Sequence, residues 1–323
     1  MTKPKVFITR RIPDAGLNLI HEECEVDLWE QDLPPSKEQL LKHVHGVDGI
    51  LSLLSDPIDA VVIQAAGKNL RVISNYAVGY NNIDIQEATR RKIPVGNTPG
   101  VLTEATADFA FALMMSAGRR VVEAEKHVRA GKWKTWGPSI LLGVDFAGAT
   151  LGIIGFGRIG QAMARRATGF GMRILIYDPT AQPMAGIIKV DLDTLYRESD
   201  FISIHTPLTP ETKYLINADA FARMKPNAVL VNTARGEIVD QEALYDALKN
   251  HKIFAAGIDV SDPEPLPMDS PLLELDNLII CPHIASASTS TRENMALIAA
   301  GNLLAGLRGE RLPFVVNPEI YKQ

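Results

Sequence analysis

A chain of 323 residues is longer than one hydrophobic core usually supports, so two domains with a cleft between them are expected. With 46% hydrophobic and 22% charged residues the composition is that of a folded globular protein, which excludes disorder. A formal net charge of −5 without clustered Lys or Arg excludes nucleic acid as a sequence-independent partner, and no apolar run reaches membrane-spanning length.

Short β-branched runs alternate with helical patterns from the start: Val6–Thr9 and a helix from Ala15, Val26–Leu28 and a helix from Ser36, then Gly49–Ser52 and Arg71–Ser74. Thr2–Lys5 leads straight into the first strand without the apolar core of a signal peptide, so a cytoplasmic location is expected. One long helical stretch is predicted from about Thr103, as N-cap, to Gly131, connecting two α/β units. A second series follows at Ala149–Ile154, Arg173–Tyr177, Phe201–Ile204, Ala228–Val231, Ile253–Ala256 and Leu278–Ile280. These near-continuous apolar runs predict strands buried on both faces. A final helix, Ser288–Leu307, can return to the first domain and make it discontinuous. The expected division is 1–100 with 288–323, and 101–287.

Gly155-Phe156-Gly157-Arg158-Ile159-Gly160 fits G-x-G-x-x-G between a strand ending at Ile154 and a helix through Ala162, Ala164 and Ala167. Gly155 allows a tight turn, Gly157 a close backbone approach to a pyrophosphate, and Gly160 close helix packing, with the helix N-terminus facing the phosphate charge. The next strand ends in Asp178, whose carboxylate suits a ribose 2′-hydroxyl and repels a 2′-phosphate. Pro179–Gln182 brings no cation to offset it. NAD(H) is therefore the preferred cofactor, with NADP(H) possible.

Three further segments place polar residues just past buried strands, where open α/β sheets bind ligands: Asn232–Gly236 with Arg235, Gly257–Pro265 with Asp259 and Glu264, and Cys281–Ser286 with His283. Reduction of a 2-oxo acid needs a cation for the carboxylate, a proton for the carbonyl oxygen and a partner for the donor. The fork of Arg235, the imidazole of His283 and the carboxylate of Glu264 match these needs. Taken singly each has a structural reading: Arg235 closing a turn, Glu264 solvated in a Pro-rich loop, His283 satisfied in the core. Cys24 and Cys281 form no disulfide or zinc pattern, no metal is expected, and Cys281 reads as a small buried filler.

These residues, with Asn75–Gly79, Asn97–Gly100, Thr103–Asp108, Thr233–Gly236, Glu264–Pro267 and Cys281–Ile284, resemble the D-isomer-specific 2-hydroxyacid dehydrogenases over essentially the whole chain. The likeness is greatest to their glyoxylate reductase/hydroxypyruvate reductase branch. The resemblance implies an α/β fold with a Rossmann dinucleotide-binding domain inserted into a discontinuous flavodoxin-like substrate domain. It implies Arg235, Glu264 and His283 as the catalytic residues. Asp259 would meet the nicotinamide carboxamide, and Thr106, Thr206, Pro207, Thr233 and Arg235 would contact the cofactor beside Gly155, Gly157, Arg158, Ile159, Gly160 and Asp178.

The backbone at Val78 and Gly79 would receive the substrate carboxylate. Leu54 and Ser55 would belong to a loop over a small substrate, and Trp136 would enter the partner subunit's active site in a homodimer. The implied reaction is reduction of hydroxypyruvate to D-glycerate and of glyoxylate to glycolate. Other small 2-oxo acids (2-ketogluconate, pyruvate, phosphohydroxypyruvate) and an NAD-sensing regulatory protein are the alternatives. Formate oxidation is disfavoured, since that relative has glutamine at the position of Glu264. Several close relatives carry basic or hydroxyl residues where this chain has Asp178-Pro179 and favour NADPH, so their preference is not carried over.

Overall fold

The computed structural model describes residues 2–182 and 184–322. Met1 and Gln323 of the first expected domain, and Pro183 of the second, lie outside the described residues. The chain divides into two compact units, Met1–Leu102 with Ala287–Gln323, and Thr103–Ser286.

In the first unit β1 (Lys5–Ile8), β2 (Glu25–Leu28), β3 (Gly49–Ser52), β4 (Val72–Asn75) and β5 (Val95–Gly96) pair in parallel in the order β2-β1-β3-β4-β5, the flavodoxin-like arrangement. The crossovers are α1 (Asp14–Glu23), α2 (Lys37–His43), α3 (Ala60–Ala66) and α4 (Ile85–Arg90). Their starts follow from local chemistry. Ser36 and Gln39 form a reciprocal capping box on α2, and Asp59 and Asp84 accept first-turn N–H bonds on α3 and α4.

The second unit opens with α5 (Thr103–Gly118) and α6 (Val121–Arg129). This corrects the single stretch expected from Thr103 to Gly131 in two ways. The helix breaks at Arg120, which takes a left-handed φ of 54°, while the Gly118 carbonyl is drawn out of the helical ladder to accept the Val144 N–H at 2.9 Å. Nor is α5 a connector: Ala107, Ala110, Leu113 and Met114 are buried in the core of the second unit, and Thr103 is its first helical residue rather than an N-cap.

The second sheet is built from β6 (Thr150–Ile154), β7 (Arg173–Tyr177), β8 (Ile187–Lys189), β9 (Phe201–Ile204), β10 (Val229–Asn232), β11 (Ala255–Ile258) and β12 (Leu278–Ile280). They pair in parallel in the order β12-β11-β10-β9-β6-β7-β8, with α7 (Arg158–Thr168), α8 (Leu192–Glu198), α9 (Ala218–Arg223) and α10 (Gln241–Lys249) as crossovers. The reversal of strand order beside β6 is the switch point where doubly wound sheets bind dinucleotides. One apolar cluster around Ile202, Leu230 and Leu244 covers one face, and another around Phe201, Val229 and Met163 covers the other. The strands β5 and β8, of two and three residues, were not anticipated, and the predicted starts at Arg71, Ala228 and Ile253 lie one or two residues early.

The last helix, α11 (Thr289–Leu307), belongs to the first unit. Its Met295, Ala299 and Leu303 pack with Val6, Ile8, Leu51 and Val72, each large side chain contributing roughly 1.5–3 kcal/mol on burial. Ser74 Oγ donates to the Ala299 carbonyl at 2.8 Å.

Candidate active site

The glycine turn joins β6 to α7 with three distinct demands. Gly155 has φ 89°, and a Cβ there would lie 2.6 Å from the backbone of His205 and Thr206. At Gly160 a Cβ would stand 2.2 Å from the Gly155 carbonyl oxygen, so the helix approaches the turn as only glycine permits. Gly157, by contrast, faces open space and is the N-cap of α7, with no side chain capping the helix. Arg158 is exposed and Ile159 half-buried beside it. A close backbone approach, an uncapped N-terminus and its partial positive charge fit a pyrophosphate. Thr233, past β10, adds a buried hydroxyl with no hydrogen-bond partner among the described residues, and Thr106 is buried on α5.

Asp178, at the end of β7, is already engaged within the chain. One carboxylate oxygen accepts the Phe156 N–H at 2.8 Å, and the other accepts from Thr180 N, Thr180 Oγ1 and Ala181 N. Partial burial pushes this carboxyl up, but the hydrogen bonds outweigh it and hold it below the usual range. The loop brings no cation of its own, as expected, yet β8 supplies one from outside it: Lys189 Nζ donates to the Pro179 and Ala181 carbonyls at 3.1 Å each. Thr206 and Pro207 follow β9.

Two buried polar residues fold the turns that carry the expected catalytic groups. Asn232, at the end of β10, accepts from Ala234 N at 2.9 Å and donates to the Arg235 carbonyl at 2.8 Å, closing the turn that presents Arg235. Asp259, 1% exposed after β11, accepts from Ile284 N and Ala285 N at 2.8 and 2.7 Å, while its carbonyl accepts the His283 N–H at 2.9 Å. Burial nevertheless holds the Asp259 carboxyl above the usual range against those hydrogen bonds. Sequence reading assigned Asp259 to the cofactor only and named Asn232 as the start of its polar segment without giving it a role. The signal was available in the polar residue ending an otherwise apolar strand.

The turn so formed gives His283 a φ of 55° and sets its Nδ1 2.6 Å from Glu264 Oε1. Arg235 lies within electrostatic reach of the same carboxylate: burial lowers its guanidinium pKa and Glu264 opposes the shift. The structure thus brings Arg235, Glu264 and His283 together in the second unit. A second imidazole, His205 after β9, differs: burial pushes it down to about 3, and its Nε2 is 2.8 Å from Ser203 Oγ. That shift disfavours its charged form and argues against His205 as the proton donor.

The remaining candidates lie elsewhere. In the first unit Leu54 and Ser55 follow β3, where Arg10 donates to Ser55 Oγ at 2.6 Å and pairs with buried Asp56 at 2.9 Å. Val78 and Gly79 follow β4. Trp136 lies beyond α6 and is 77% exposed. Cys281 is a half-buried free thiol whose pKa burial raises, and Cys24 is also free. Among the described residues no cluster suits a metal ion, and no helix is long and apolar enough to cross a membrane.

A doubly wound sheet with this glycine turn at its switch point, and an arginine, a carboxylate and a histidine past its strand ends, defines a nicotinamide-dinucleotide-dependent oxidoreductase. The family described as D-isomer specific 2-hydroxyacid dehydrogenase, NAD binding domain, matches residues 111–285. The chain is 55% identical to a glyoxylate reductase of Korarchaeum cryptofilum over 99% of this chain and 98% of that one, and 50% identical to a glyoxylate reductase of Pyrococcus furiosus over 99% and 97%. Among solved structures, the TT0316 protein of Thermus thermophilus matches with a TM-score of 0.92 at 48% identity, covering 97% of this chain and 99% of that one. An NADPH-dependent glyoxylate/hydroxypyruvate reductase of Sinorhizobium meliloti, solved with NADP and malonate, matches at 0.87 and 31%, covering 100% and 99%. The chain belongs to the D-isomer-specific 2-hydroxyacid dehydrogenases.

Proposed function

We propose that this enzyme reduces glyoxylate to glycolate and hydroxypyruvate to D-glycerate, with NADH preferred over NADPH. The observation that carries the reading is the 2.6 Å contact between His283 Nδ1 and Glu264, next to Arg235. The dinucleotide, when bound, supplies the hydride. With Nδ1 turned to Glu264, the other ring nitrogen, Nε2, is the donor that protonates the substrate carbonyl oxygen as it gains charge, and the carboxylate stabilises and orients the imidazolium. Arg235 binds the carboxylate and carbonyl oxygen through its planar fork; a half-buried guanidinium has lost part of its hydration and meets an anion the more strongly. Val78 and Gly79 offer backbone N–H groups to the carboxylate, and Leu54 and Ser55 bound a small substrate.

Cofactor preference rests on Asp178, whose negative charge opposes a 2′-phosphate. Lys189 works against it only in part, because its ammonium is turned to two carbonyls. The chain is further proposed to act as a homodimer. Val121, Val128, Trp133, Trp136 and Leu142, all between 52% and 77% exposed, are apolar side chains within one segment, and a second copy would cover them.

The test is spectrophotometric: oxidation of NADH and of NADPH by the purified protein with glyoxylate, hydroxypyruvate and pyruvate. Turnover with the first two and NADH is expected. An NADPH preference would overturn the argument from Asp178 alone, and binding of dinucleotide without turnover of any acid would overturn the reaction.

A further inference from the structure

The loop after β4 has its backbone turned by three side-on contacts. The Ala77 carbonyl accepts the Thr98 N–H at 2.9 Å, the Val78 carbonyl accepts Asn97 Nδ2 at 2.8 Å, and the Gly79 carbonyl accepts Asn75 Nδ2 at 2.9 Å. These peptides are trans, so each N–H points opposite to the carbonyl of the residue before it. Tying the Ala77 and Val78 carbonyls to the adjacent residues Thr98 and Asn97 therefore sends the Val78 and Gly79 N–H groups away together. Among the described residues nothing accepts a hydrogen bond from the N–H of Val78, Gly79 or Tyr80. Consecutive unpaired donors on one side of a turn are an anion site.

We infer that Asn97 is a positioning residue for the substrate, its side-chain amide fixing the Val78–Gly79 peptide so that the Gly79 N–H stands beside that of Val78, ready for a carboxylate. This rests on the reading of that loop as the carboxylate site. Asn97 is itself anchored: its carbonyl accepts from Asn302 Nδ2 at 2.9 Å, and Asn302, fully buried on α11, accepts the Phe314 N–H at 3.0 Å. Asn75 is held in turn by Ser52 Oγ at 3.0 Å and donates to Asn82 at 3.1 Å. Asn97 is half-buried where Asn75 is fully buried, so it can be replaced with less risk to the fold.

Asn97→Asp keeps the shape, loses the donor and sets an acceptor against the Val78 carbonyl, which drives the peptide to rotate. The KM for glyoxylate and hydroxypyruvate should rise about tenfold or more, with kcat within about threefold and NADH affinity within about twofold. Asn97→Ala, which removes the donor without adding charge, should raise KM about fivefold, and it carries the test if Asn97→Asp melts early. Unchanged KM in a folded variant would overturn the inference while leaving the reaction standing. Equal losses in kcat and NADH affinity would also overturn it, marking general distortion. A wild-type enzyme inactive with both acids would overturn the underlying reading and the inference with it.

Discussion

His283 and His205 show how surroundings separate one residue type into two uses. His205 is desolvated and, among the described residues, its ring pairs with a hydroxyl, whereas His283 has a carboxylate on Nδ1. Replacing His283 with Ala should lower kcat by about 10²-fold or more with NADH dissociation within about twofold, measured by single-turnover kinetics and fluorescence quenching. A loss shared equally between turnover and cofactor affinity would remove His283 from the proton-donor role. At this scale Arg235, Glu264 and His283 could be singled out because each lies in a polar segment that comes after an otherwise apolar strand, and the contact of His283 with Glu264 is consistent with that choice. The supporting bonds of Asn232 and Asp259 were not, since side chain-to-backbone contacts depend on the conformation of a turn that spacing alone does not define. Lys189 was hidden for a different reason: it comes from a three-residue strand too short to show a period.

The glycine turn is the element whose demands differ most from residue to residue. Gly157→Ala meets open space, so it should leave the melting temperature within about 2 °C while weakening dinucleotide binding at least tenfold, because the methyl occupies the path of the pyrophosphate. Gly160→Ala puts a Cβ against the Gly155 carbonyl and should destabilise the fold by about 3 kcal/mol or more, seen as a clear drop in melting temperature. The reverse pattern would remove the assignment of these glycines. The turn was legible because the strand, glycines, helix and terminal acid all fall in order. The break between α5 and α6 was not, because Gly118-Arg119-Arg120-Val121 carries no proline and only tertiary packing, through Val144, interrupts the ladder.

For the whole molecule, the alternation of apolar strands with helices made the α/β class readable, while the order of strands within each sheet follows from pairings that no local pattern records. The exposed apolar side chains between Val121 and Leu142 lead to a prediction at this scale. Sedimentation should give twice the 35.3 kDa chain mass, and the double replacement Trp133→Asp with Trp136→Asp should bring it to the mass of one chain. A wild-type protein sedimenting as one chain would remove the dimer.

The burial of α11 in the first core also sets a schedule for synthesis. A ribosome releases β1–β5 early, then spends on the order of 10–40 s on Thr103–Ser286 at about 5–20 residues per second before the helix that covers them emerges. Until then the apolar face of Val6, Ile8, Leu51 and Val72 is covered in part, by Leu17 and Ile20 of α1, and the second unit is complete in sequence before the first. The newborn chain therefore carries a half-covered first core until its last helix has been made.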